Sequence, residues 1–115
     1  MNRLSDAEQE RFGKLVEEQG EAGQCIGKIL VHGRVSEYLG VTYNNIGDLE
    51  REIGDLLGVI DTMILAGDLN NTNVQTARSA KLENLPNVLN HQSQALISAM
   101  RYKAQELRGN NHFQQ

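Results

Sequence analysis

Two long stretches of the chain, Ser5 to Gly33 and Ile46 to Leu65, repeat their aliphatic residues every three or four positions, and nothing else in the sequence constrains the fold as tightly. That period marks a helix with one face buried. In the first stretch the stripe is Phe12, Leu15, Val16, Ala22, Ile26, Ile29 and Leu30; in the second it is Ile46, Leu49, Ile53, Leu56, Leu57, Ile60, Met63 and Ile64. Ser5-Asp6-Ala7-Glu8 has the form of a capping box, so the first helix is predicted to open there and to stop near His32-Gly33. Gly67-Asp68-Leu69-Asn70-Asn71 closes the second. A shorter third helix is expected from about Thr72 to Leu85, carrying Val74, Ala77 and Leu82. Pro86 marks a break or the first turn of a fourth helix, which takes Val88, Leu89, Leu96, Ala99, Met100 and Leu107 inward and stops at Gly109.

Residues 34–45 read as a loop or a short helical turn over the core, with Asn44-Asn45 as a turn or the cap of the next element. No stretch carries convincing strand alternation. The expectation is an all-α, four-helix-bundle-like single domain over residues 1–109, with a polar tail at 110–115. Two Phe, three Tyr and no Trp leave the core aliphatic, and a chain of 115 residues that size gains much of its stability from assembly. A net charge of -4 argues against general nucleic-acid binding, which needs a basic surface. Cys25 stands alone, so no intramolecular disulfide forms. No apolar run reaches signal-peptide or membrane-span length, and the chain reads as cytoplasmic.

Set into the two long helices are two echoes of one tetrapeptide, Glu-x-Gly-acid, at Glu18 to Glu21 and Glu52 to Asp55. Residues three apart are neighbours on a helix surface. A single such pair is the ordinary pattern of a solvated face. Here, however, Glu18 and Glu52 both lie roughly 80° from the centre of their apolar stripe, and Glu21 and Asp55 roughly 140°, in the same rotational sense. If the helices pack antiparallel, the four carboxylates fall on one side of the pair. Four such groups repel unless a cation holds them, and hard divalent cations choose oxygen ligands. The opposite flanks collect glycines, Gly13, Gly20, Gly23 and Gly27 on one helix and Gly47, Gly54 and Gly58 on the other. Each glycine costs a helix about 0.5–1 kcal/mol, which suggests close approach of another helix or a second subunit.

Glu17-Glu18-x-x-Glu21, followed by Glu52-x-x-Asp55 on a second helix, resembles the signature of the MazG-like all-α nucleoside triphosphate pyrophosphohydrolases. Leu15 to Ala22 is similar to that superfamily's first metal helix, Asp48 to Asp61 to its second, and Lys81-Leu82-Glu83-Asn84 to its third. The resemblance implies that Glu18, Glu21, Glu52 and Asp55 bind Mg²⁺ (or Mn²⁺), and that Glu17 positions or deprotonates the attacking water. It also implies that Lys81 and Asn84 approach the phosphates or sugar of a nucleoside triphosphate, and that the protein is a homodimer or homotetramer. The reaction would yield a nucleoside monophosphate and pyrophosphate. A rival expectation keeps the fold without catalysis, as a helical interaction or regulatory module. The histidines add nothing: His32 sits near a helix end, His91 reads as surface, and His112 lies in the tail.

Overall fold

The structure is a computed structural model that describes residues 3–114, with side chains described for residues 3–109. The chain is mostly helical and separates into two compact units, one ending at Asp68 and the other beginning at Leu69.

The first unit is helix, hairpin, helix. Helix α1 (Asp6–His32) opens where the sequence predicts: the Ser5 hydroxyl accepts from the Glu8 amide at 3.1 Å and the Ser5 amide donates to the Glu8 carboxylate at 2.9 Å. Helix α2 (Asn45–Ala66) is capped by the Asn44 side chain, which accepts from the Gly47 amide. It ends in a Schellman closure, with Asp68 N–H donating to the Met63 carbonyl and Gly67 N–H to the Ile64 carbonyl. Gly67 takes φ 87°, in the left-handed region where a side chain would be strained. Contacts that climb α2 as they descend α1, from Arg11 with Asp68 to Gly33 with Asn45, make the helices antiparallel. Met63 is fully buried and Ala22 is buried.

Between the helices lies the main departure from expectation. Residues 34–45 form neither loop nor helical turn but an antiparallel hairpin, β1 (Val35–Tyr38) and β2 (Val41–Asn44), in the register Ser36 opposite Tyr43 and Tyr38 opposite Val41. The β-branched and aromatic residues favour strand. The two-residue link Leu39-Gly40 has positive φ at both positions, 51° and 77°, as a type I′ turn requires. Alternation is confined to β2, where Val41 and Tyr43 share one face and Thr42 and Asn44 the other; β1 sets Val35 beside Glu37 and Ser36 beside Tyr38, and both faces of the ribbon are largely solvated.

The second unit is α3 (Asn71–Asn84), a 3₁₀ turn at Leu85–Asn87, and α4 (Gln94–Gln114). The Asn70 side chain caps α3 through the Asn73 amide. Pro86 breaks the chain, and the fourth helix starts only at Gln94, capped by Ser93, whose hydroxyl accepts from the Leu96 amide at 3.1 Å. Val88 and Leu89 therefore precede the helix and are exposed rather than core. The helix also runs past Gly109, where a stop was expected. Gln115 and the side chains of the expected 110–115 tail lie outside the described residues. Ser79, Ala104 and Leu107 are buried in this unit.

The apolar stripes are less covered than their period suggests. Val16, Ile26, Leu30, Ile53 and Leu57 are exposed, Leu30 to 82%. A Cβ added at Gly13, Gly20, Gly23, Gly27, Gly54 or Gly58 would meet nothing within 4 Å, so among the described residues no helix presses on the glycine flanks there.

Candidate metal centre

The antiparallel packing of α1 and α2 brings three predicted carboxylates together. One oxygen each from Glu18, Glu52 and Asp55 lies within 4.8 Å of the others. Glu18 comes from the middle of α1, Glu52 and Asp55 from successive turns of α2, so the cluster is held by helix packing rather than by a loop. Glu18 and Glu52 are half-buried and Asp55 is exposed. Glu18 Oε2 and Glu52 Oε2 are buried and have no hydrogen-bond partner. The other Glu52 oxygen has an Arg51 guanidinium nitrogen at 3.5 Å.

Glu21, the fourth predicted carboxylate, is not among the three whose oxygens come together, but it lies near enough to feel their charge. The closeness of the Glu52 carboxylate, then the charge of Glu18, pushes its carboxyl above the usual 4.5. Carboxylates this close disfavour one another's charged form. The arrangement is therefore electron-rich and short of positive charge. An oxygen-only donor set with orphaned oxygens fits a hard divalent cation and does not suit Zn²⁺, which favours nitrogen and sulfur.

Glu17 stands apart from this cluster. It is exposed and pairs with Lys14 at 3.0 Å, and that contact holds the Lys14 ammonium above its usual range. A cleft of about 640 Å³ runs from the cluster toward the start of α1, bordered by Arg11, Lys14, Glu18, Gly54, Asp55 and Thr62. Gly54 and Gly58 keep its α2 wall low, since neither carries a side chain. Lys81 and Asn84, expected at the nucleotide, belong to the second unit, where both are exposed and border a hollow of about 370 Å³ with Ala77, Ala80, Leu85 and Val88.

Two features of the first unit escaped sequence reasoning. Arg11 grips Asp68 through Nε and Nη2, the latter at 3.0 Å, and the Asp68 carboxylate is only 4% exposed. Asn45 is buried against the hairpin, its amide nitrogen donating to the Gly33 carbonyl and to the Ser36 hydroxyl, both at 3.0 Å. Residues 57 apart give no local signal of pairing, and Asn45 reads in sequence only as part of a turn.

Compared with models of protein families, with curated proteins and with solved structures, the chain matches none. No helix among the described residues is long and apolar enough to cross a membrane.

Proposed function

We propose that the protein is a Mg²⁺-dependent (or Mn²⁺-dependent) nucleoside triphosphate pyrophosphohydrolase. It would be a four-helix bundle of the MazG-like kind, working in the cytoplasm as a homodimer or homotetramer and cleaving NTP or dNTP to the monophosphate and pyrophosphate. The observation that carries this reading is the pair of orphaned buried oxygens, Glu18 Oε2 and Glu52 Oε2, in a cluster with Asp55. A buried polar group without a partner costs about 1–3 kcal/mol, so a fold that keeps two of them side by side has a use for a cation between them.

Glu18, Glu21, Glu52 and Asp55 would hold the metal, which when bound supplies Lewis-acid polarisation of the phosphoryl group and neutralises charge on the leaving pyrophosphate. Lys14 borders the same cleft as Glu18 and Asp55, and its ammonium draws the polyphosphate in. Glu17, which in the structure is exposed and paired with Lys14, would orient the attacking water and accept its proton once the polyphosphate engages Lys14. Lys81 and Asn84 contact phosphate or sugar in this reading. The open glycine flanks of α1 and α2 suit the approach of a second copy.

The non-catalytic alternative, an interaction or regulatory module, has an observation of its own in the exposed Leu30, Val31 and Leu65. One assay separates the two: pyrophosphate release from a panel of canonical and modified NTPs and dNTPs with Mg²⁺ or Mn²⁺, run beside Glu18→Ala and Glu52→Ala. The hydrolase reading expects metal-dependent release that falls about a thousandfold or more in both variants, the scale of losing a transition-state charge stabiliser. Folded, metal-binding protein that releases no pyrophosphate across the panel would leave the interaction module standing.

A further inference from the structure

We propose that the hollow between the hairpin and the adjoining ends of α1 and α2 receives the nucleobase of the nucleotide whose phosphates sit at the carboxylate cluster. The inference rests on the pyrophosphohydrolase reading. The hollow measures about 300 Å³ and is bordered by Lys28 and His32 of α1, Tyr38 and Tyr43 of the hairpin, and Asn45 and Asp48 of α2.

Position is the first argument. Lys28 follows Glu21 by seven residues and His32 by eleven, so each falls within about 20° of Glu21 around α1, one on either side of it. Asn45 precedes Glu52 by seven, which puts it on the same side of α2. Hollow and cluster therefore share one edge of the helix pair, separated by a rise of about 10 Å. A nucleotide laid along that edge with its phosphates at the carboxylates points its base toward the hairpin.

Chemistry is the second. Asn45 is 6% exposed, and both hydrogens of its amide nitrogen are committed, to the Gly33 carbonyl and the Ser36 hydroxyl. That fixes the amide orientation and leaves its oxygen as an acceptor with no partner among the described residues, on the wall of the hollow. Such an acceptor suits an amino or ring N–H group. Tyr38 and Tyr43 project from one face of the ribbon on a diagonal of its ladder, where Cβ atoms stand roughly 7 Å apart. That gap admits one planar ring at about 3.5 Å contact on each side. The charges argue against a phosphate here, because Asp48 and Glu37 border the hollow alongside Lys28.

The test uses the full chain with Mg²⁺. The side-chain amide of Asn45 and the tyrosine rings are followed by NMR during titration with adenosine, cytidine, guanosine and uridine monophosphates, and separately with inorganic phosphate. The triphosphates are then assayed with Tyr38→Ala, which removes an exposed ring, and with Tyr102→Ala, whose ring lies on α4. At least one nucleotide, but not phosphate, is expected to move the Asn45 and Tyr38 signals, and Tyr38→Ala to raise KM roughly tenfold with kcat kept, the scale of one base stacked on one ring. Tyr102→Ala should match the parent. Pyrophosphate release without these shifts, or with KM unmoved in Tyr38→Ala, overturns the base pocket and leaves the hydrolase reading intact. Nucleotide shifts without any pyrophosphate release keep the pocket and overturn the hydrolase reading instead.

Discussion

Two carboxylates packed against the same helix pair differ in one respect: Asp68 has a cation and Glu52 lacks an adequate one. Asp68 lies at the end of α2 and takes two bonds from the Arg11 guanidinium, which holds its carboxyl below the usual 3.8. Midway along the pair, Glu52 has one oxygen near Arg51 at 3.5 Å and the other buried without a partner, and the carboxyl beside it, Glu21, is pushed upward. The chain is able to build a bidentate ion pair in this unit and does so where the role is to tie helix ends together. At the cluster it sets carboxylate against carboxylate. In the proposed reading a bound divalent cation would relieve that repulsion.

The contrast can be attacked at either end. The largest change in stability should come from Arg11→Ala, which strands the almost fully buried Asp68 carboxylate. Asp68 titrates below its unfolded value, so the contribution of the pair is fully present above pH 3.8 and is lost as pH falls through the lowered folded value. Thermal unfolding at a series of pH values should therefore find the variant far less stable than the parent at pH 7, with the gap closing below pH 3.8. A pH-independent gap would mean that Arg11 acts through packing alone. Next in size, saturating the parent with Mg²⁺ should raise stability by about 2.7 kcal/mol at a hundred times the Kd, read from the melting temperature, and should do little for Glu52→Ala. The smallest effect is expected from Glu21→Gln, which removes one negative charge from the cluster: without metal its melting temperature should rise by a few degrees, about 1 kcal/mol being worth roughly 4–8 °C in a unit of this size. A fall there would show that the carboxylates do not repel in the metal-free fold.

What was legible in the sequence followed from local rules. The opening of α1 was written in Ser5 and Glu8, the close of α2 in Gly67, and the helical class in the aliphatic period. Glu18, Glu52 and Asp55 could be placed on one side of the helix pair because a wheel and an antiparallel partner suffice to do so. The hairpin was not legible, because its strands are four residues long and β1 puts one polar and one apolar side chain on each face, so the alternation of β2 stands without a partner to support it. The start of α4 was missed because the apolar Val88 and Leu89 looked like helix, while Ser93, the true cap, precedes no acidic residue that would complete a capping box. Arg11 with Asp68 and Asn45 with Gly33 and Ser36 depend on the tertiary path, and no local pattern announces them. Lys81 and Asn84 entered through resemblance alone, and their surroundings are those of the second unit.

The bare flanks of α1 and α2 amount to a ruler for neighbours that one chain does not contain. Where a helical glycine faces water, alanine spares backbone entropy and the helix gains about 0.5–1 kcal/mol. Where another chain's backbone rests on the same spot, the added methyl group forces the two apart. Gly20, Gly23 and Gly27 have open space in the single chain, so the sign of each alanine's effect, read at low and at high protein concentration, maps the footprint of any assembly one residue at a time, whereas Gly54 and Gly58 border the cleft beside the carboxylates.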